Sequence, residues 1–189
     1  MTLVAFVRHA ETDWNRAKRI QGHTDIPLNA AGRAALDGRT LPGELREMQC
    51  CTSPLLRCRE TARLLGFPDA RIEPGLTEMR WGDWEGSRLA DLRTELGTAM
   101  TENESRGLDF RPPGGESPRE VAARVRDWLA GLTGPTLAVT HRGVIRAVMS
   151  IACDWDMRSK PPVRLDWGAF HLFRTDSSGH PSPVTLNLR

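Results

Sequence analysis

The stretch LVAFVRHAETDWN, residues 3–15, decides how the rest of the chain is read. Its apolar residues, Leu3 to Val7, fit a strand buried on both faces, and the run stops abruptly at Arg8 and His9. In open α/β sheets ligands gather beyond the carboxyl ends of the strands, so a strand that ends in an arginine and a histidine reads as one wall of a site. A second stretch repeats the arrangement. TLAVT, residues 136–140, is a buried strand that ends in His141 and leads straight into a helical pattern, RGVIRAVMSIAC (142–153). Parallel alignment of the two strands puts His9 and His141 at the same sheet edge.

Between these strands, apolar runs alternate with helical patterns. NAAGRAALDGR (29–39) reads as a helix and MQCCTS (48–53) as a short buried strand. SPLLRCRETARLLG (53–66) reads as a helix with Ser53 as N-cap, Pro54 at its first position and Gly66 at its stop. SPREVAARVRDWLAGL (117–132) opens on a Ser117–Glu120 capping box and sets Val121, Val125, Trp128 and Leu132 on one face. GAFHLFRT and SPVTLNLR, on either side of DSSGHP, read as a hairpin. Strands separated by helices predict an α/β fold, a three-layer α/β/α sandwich around a mostly parallel central sheet. The length of 189 residues fits one domain, residues 1–189. Within it, about 76–116 carries little apolar periodicity and reads as an insertion over one sheet edge that contributes part of the site.

Composition narrows the function classes. A formal net charge of +2, with Lys18 and Lys160 the only lysines and the arginines spread evenly, leaves no nucleic-acid footprint. Arginine use this uniform reflects genome composition as much as function, so each arginine needs a positional argument. No apolar stretch approaches the ~18 residues of a membrane span, and the first apolar run is too short for a signal peptide, so a soluble cytoplasmic protein is expected. Cys50, Cys51, Cys58 and Cys153 show neither a CxxC pair nor zinc-like spacing and are expected as buried free thiols.

Arg57 sits near the start of a helix that follows a strand, so it reaches the same edge as Arg8, His9 and His141. Two histidines and two arginines make a pocket for a dianion, of which phosphate is the commonest. The chain has no GxxxxGK[ST] loop, no HxH or HExxH spacing and no aspartate cluster, so neither a metal nor a cofactor is expected. Covalent chemistry is the economical route that remains. A neutral imidazole held in one tautomer can attack phosphorus while arginines stabilise the equatorial oxygens. Glu78, in LTEMRWGDWEG, is the best placed proton donor for the departing oxygen, with Asp83 and Glu85 as alternatives.

The ordered set RHAETDWN, QGHTDIPLN, SPLLRCRETA, LTEMRWGDWEG, PPGGES and VTHRGVIR resembles the histidine phosphatase superfamily, over about residues 3 to 152. The resemblance is to the branch of cofactor-dependent phosphoglycerate mutases and small-molecule phosphatases, and it implies a phosphoglycerate mutase-like fold. It also implies that His9 is the nucleophile, that Arg8, Arg57 and His141 bind the phosphoryl group with help from Asn15, and that Glu78 is the acid. Gln21 and Gly22 either contact substrate or shape their loop. Ala10 and Arg142 stand where relatives often have glycine; Arg142 either points to solvent or adds a cation at the pocket rim.

The implied reaction is hydrolysis of a small-molecule phosphate monoester. A mutase of this branch usually has a longer middle region and a basic residue after the acid, where this chain has Met79. PPGGESPREVAARV and GDWEG resemble stretches of α-ribazole phosphatases. The competing readings are a phosphoglycerate mutase and a regulator that binds phosphate or a phosphoprotein without turnover. Arg80 is a loop arginine, Trp81 and Trp84 read as loop-packing aromatics, and His23, His171 and His180 read as surface or loop residues. No membrane partner is expected, and monomer and homodimer are both open.

Overall fold

The computed structural model describes residues 1–189. Its strands are β1 (Thr2–Arg8), β2 (Gln49–Thr52), β3 (Arg71–Ile72), β4 (Thr136–Thr140), β5 (Phe170–Thr175) and β6 (Pro181–Leu188), in one sheet ordered β3-β2-β4-β1-β5-β6. The first four strands pair in parallel, and β5 and β6 add the expected antiparallel hairpin beside β1. The helices are α1 (Asp13–Arg16), α2 (Ala30–Ala34), α3 (Gly43–Arg46), α4 (Leu56–Leu64), α5 (Leu89–Leu96), α6 (Thr98–Glu104), α7 (Pro118–Ala130) and α8 (Arg142–Ala152).

The layers follow from the two-residue period of β1. Val4 and Phe6 join one apolar cluster with Val125 and Trp128 of α7 and Ile145 and Val148 of α8. Ala5 and Val7 join another with Leu45 of α3 and Cys58 and Ala62 of α4. A strand buried on both faces reads as an unbroken apolar run, which is what residues 3 to 7 display. Phe6 meets Trp128 and Phe173 edge to face, with ring centroids 6.1 and 5.8 Å apart, so Phe6→Ala costs on the order of 3–5 kcal/mol. The capping box at Ser117 forms as expected and opens α7. No helix is long and apolar enough to cross a membrane.

Four expectations need correction: the start of the helix read from Ser53, the extent of the helix read over 29–39, the place of His171, and the burial of Cys50 and Cys153. The helix read from Ser53 starts at Leu56 with Leu55 as its cap, because the Ser53 amide still donates to Val139 O at 3.0 Å and keeps Ser53 on the sheet. The helix read over 29–39 is regular only from Ala30 to Ala34, capped by the Asn29 side chain, and then loosens into turns. Residues 76–116, poor in periodicity, contain α5 and α6, which pack Leu92 and Met100 on Trp84 in a small cluster of their own. His171 is fully buried in β5, where both faces of the strand are covered. All four cysteines are free; Cys51 and Cys58 are buried, while Cys50 and Cys153 are half-buried.

Candidate active site

The parallel pairing of β1 with β4 sets Arg8 opposite Thr140, and the His9 amide extends the ladder by donating to Thr140 O at 2.9 Å. The two imidazoles therefore meet, their centroids 5.2 Å apart. His9 Nδ1 lies 2.7 Å from Ala10 O. A carbonyl only accepts, so Nδ1 carries the proton and Nε2 keeps its lone pair. Ala10 is itself fixed, since its amide donates to Thr61 Oγ1 of α4 at 3.0 Å. Burial, followed by the charges of Arg8 and Arg57, holds His9 well below the usual imidazole range and hence neutral at pH 7.

His141 is held otherwise. It is fully buried, with Nε2 2.8 Å from Ser53 Oγ and 3.3 Å from Cys58 Sγ. Burial, then Arg57, His9 and Arg8, keeps it neutral as well. The hydroxyl read as a helix cap is thus a partner of the second histidine.

Arg57 is completely buried and donates from Nη2 to Gly22 O at 2.8 Å and from Nη1 to Thr24 O at 3.0 Å. Removing it would strand two carbonyls, each at a cost of about 1–3 kcal/mol if left unsatisfied. Its Nε has no partner, and neither does the buried Nε of Arg8. Arg8 has no carboxylate within salt-bridge distance, and burial followed by the repulsion of Arg142 and Arg57 pulls it below the usual guanidinium range, against the attraction of Glu78. Two guanidiniums with unfilled donors beside two neutral imidazoles suit an oxyanion.

Glu78 reaches this edge from the region after β3. Its carboxylate accepts from the amides of Met79 at 2.9 Å and Gly143 at 3.3 Å, so it rests on the first turn of α8. A side chain at Gly143 would collide with that carboxylate. Glu85 is engaged elsewhere and accepts from the amides of His23 (2.8 Å), Thr24 (2.9 Å) and Trp81 (3.2 Å) and from Thr24 Oγ1 (2.6 Å). Burial would raise its pKa, but those bonds together lower it, and it braces the loop instead of donating protons. Asp83 is exposed. Met79 is buried in the core and Arg80 is exposed. Trp81 and Trp84 pack on Phe110, as loop aromatics do.

Three residues of the loops make contacts within the protein. Asn15 Oδ1 closes a capping box on Thr12, which leaves the Asn15 side-chain NH₂ without a protein partner. Gln21 Oε1 lies 3.0 Å from Thr12 Oγ1. Gly22 has φ +51°, and the Glu85 carboxylate occupies the space a side chain would need, so only glycine fits. Sequence reasoning missed Arg124, whose guanidinium donates to Gly75 O and Thr77 O at 2.6 Å and pairs with Glu116, fixing the segment that leads to Glu78. It also missed His23, whose Nε2 lies 2.8 Å from Glu78 O. No group of three His, Cys, Asp or Glu side chains is arranged to hold a metal ion.

The sheet and this edge together define an α/β protein with two neutral imidazoles and two arginines gathered at one sheet edge. The chain belongs to the histidine phosphatase superfamily (branch 1), whose description matches residues 4–188. A 2,3-bisphosphoglycerate-dependent phosphoglycerate mutase 2 of Gloeobacter violaceus is 32% identical over 168 residues, 79% of this chain and 74% of the relative. A glucosyl-3-phosphoglycerate phosphatase of Mycobacterium tuberculosis is 28% identical over 95% of this chain and 86% of its own length. Among solved structures, TTHB049 from Thermus thermophilus superposes over both whole chains with a TM-score of 0.76 at 32% identity. A mycobacterial glucosyl-3-phosphoglycerate phosphatase in complex with VO3 has a TM-score of 0.81 over both whole chains at 24% identity, a likeness of fold.

Proposed function

We propose that this chain is a metal-independent phosphomonoesterase that works through a phosphohistidine on His9. The observation that carries the reading is the tautomer of His9: with Nδ1–H bound to Ala10 O, the lone pair is on Nε2 in a neutral ring. His9 Nε2 attacks phosphorus and the ester P–O bond breaks. Arg8, Arg57 and His141 take the developing charge on the phosphoryl oxygens, with the Asn15 side-chain NH₂ as a further donor, and Glu78 gives its proton to the leaving alcohol. Water then attacks the phosphohistidine, losing its proton to Glu78, and phosphate departs. Gln21 and Gly22 shape the loop that Arg57 holds.

Hydrolysis is favoured over phosphoryl return because a mutase must retain a second anion beside the acid. Met79, at the position after Glu78, lies in the core at 5% exposure and offers no cation there. The relatives include a phosphatase and mutases, so one assay should follow both products. The test treats the enzyme with EDTA and supplies p-nitrophenyl phosphate, a panel of metabolite phosphates that includes cobalamin precursors such as α-ribazole phosphate, and phosphoglycerate with 2,3-bisphosphoglycerate. The expected result is phosphate release that survives EDTA and outpaces interconversion of 2- and 3-phosphoglycerate. Faster interconversion than phosphate release on every ester would make the enzyme a mutase, and binding without any turnover would make it a regulator.

A further inference from the structure

The neighbours of His141 place its ring proton, as Ala10 O places that of His9. The sheet brings Ser53 against this ring, because the Ser53 amide donates at 3.0 Å to Val139 O, two residues before His141. Both residues are fully buried, so neither can turn to water for a hydrogen bond. Ser53 Oγ accepts from the Leu55 amide at 3.3 Å and has one proton to give. His141 Nε2, 2.8 Å away, is the nitrogen that can take it.

The other neighbour of that hydroxyl is Cys58 Sγ, a weak acceptor. Burial raises the Cys58 pKa, so the sulfur keeps its own proton, and it donates that proton to Thr140 O at 3.4 Å. Cys58 Sγ lies 3.3 Å from His141 Nε2 but has nothing left to give it. Ser53 is therefore the donor, and an Nε2 that accepts leaves the proton of a neutral ring on Nδ1. No oxygen of the protein takes that proton; the one polar atom in range of Nδ1 is Cys58 Sγ, at 3.8 Å. His141 Nδ1 thus joins Arg8 Nε and Arg57 Nε as a donor at this edge without an oxygen partner.

We propose that Ser53 is a positioning residue that holds His141 in its Nδ1–H form, so that both histidines share one tautomer and use it from opposite ends. His9 presents the Nε2 lone pair to phosphorus, and His141 presents the Nδ1 proton to a phosphoryl oxygen. The other tautomer of His141 would turn a lone pair toward that oxygen and repel it. The role toward phosphorus rests on the phosphomonoesterase reading; the place of the proton does not.

Long-range ¹H–¹⁵N correlation NMR of the wild-type protein at neutral pH reads the ring protons directly, with His9→Gln and His141→Gln assigning the signals. Both rings should show a protonated Nδ1 and an unprotonated Nε2, and added inorganic phosphate should shift the His141 Hδ1 resonance. In Ser53→Ala, His141 should move to a mixture of its two tautomers while His9 stays unchanged. Turnover of p-nitrophenyl phosphate should then fall about tenfold in kcat, less than the loss of His141 itself costs, with KM altered by less than about threefold. A proton on His141 Nε2 in the wild type, an Hδ1 resonance indifferent to phosphate, or an unchanged His141 spectrum in Ser53→Ala would overturn the proposal. The wild-type spectrum decides the place of the proton even where Ser53→Ala does not fold. A His141 Nδ1 proton that depends on Ser53, in a protein that releases no phosphate from any ester, would uphold the assignment and defeat the phosphomonoesterase reading instead.

Discussion

His9 and His141 occupy equivalent places, each one residue beyond a buried parallel strand, and yet their rings are held in opposite ways. His9 is fixed through Nδ1 by its own neighbour's carbonyl, which leaves Nε2 unengaged. His141 has Nε2 against Ser53 and Cys58 and is completely enclosed. Fold position supplies proximity; the second contact of each ring supplies the role. The family resemblance implies which histidine attacks, and the hydrogen bonds supply a physical difference between a ring with a free Nε2 and one that is braced.

The strongest way to break this comparison is to ask which ring carries phosphate. His9→Ala should lower kcat by roughly four powers of ten or more, because the covalent route disappears. His141→Ala should cost about 10²–10³, the scale of one lost transition-state contact. Acid-labile phosphate trapped after rapid quench should map to His9 in the wild type and be absent from His9→Ala. Phosphate on His141 would reverse the roles.

A somewhat smaller effect tests the acid that serves the attack. Glu78→Gln should slow hydrolysis of an alkyl phosphate by about 10²–10³ and that of p-nitrophenyl phosphate by less than about tenfold, since the phenolate leaves without help. Gly143→Ala, which forces the Glu78 carboxylate off the α8 turn, should follow the same pattern. Equal losses on both esters would make Glu78 a binding residue.

The smallest effect concerns stability, where the two rings should behave alike. Both are held below the unfolded imidazole value of about 6.5 in the unliganded protein. Below that pH the unfolded chain binds more protons than the native one. Stability should therefore fall as pH drops from 7 towards 5, by up to about 1.4 kcal/mol per pH unit for each histidine, and should be insensitive to either ring above that window. Urea midpoints should show a shallower slope for His9→Gln and for His141→Gln. Parallel slopes in all three proteins would mean that both rings accept a proton in the fold, and a slope unchanged in one variant alone would mean that its ring does.

The sheet and its two histidines are legible because β1 and β4 are short unbroken apolar runs that stop at a histidine, and a capping box marks α7. The remainder depends on partners remote in sequence. Ser53 followed by Pro54 is a cap signal, and nothing local reveals that Val139 O holds its amide on the sheet. Only Leu92 of α5 and Met100 of α6 are buried, so neither helix has a periodicity to read. His171 sits in a strand that the sequence does reveal, but its burial depends on what covers the faces of β5, which comes from elsewhere in the chain. Arg124 is hidden by an arginine-rich composition. Spacing does not rank Glu78, Asp83 and Glu85; the four hydrogen bonds that Glu85 makes to neighbouring loops do so.

The strand order has a consequence for how the protein is made. β4 lies between β2 and β1, although both of its neighbours precede it by much of the chain. A nascent chain that has emerged only as far as residue 135 holds β1, β2 and β3 but lacks the strand that joins β1 to β2. Val4 to Val7 then present an unpaired apolar edge to the surroundings, a target for chaperones and for aggregation until β4 inserts. The candidate site, which draws on the ends of both β1 and β4, is assembled in that same late event. A full-length chain refolding from denaturant has every strand at hand from the start and is free of that wait.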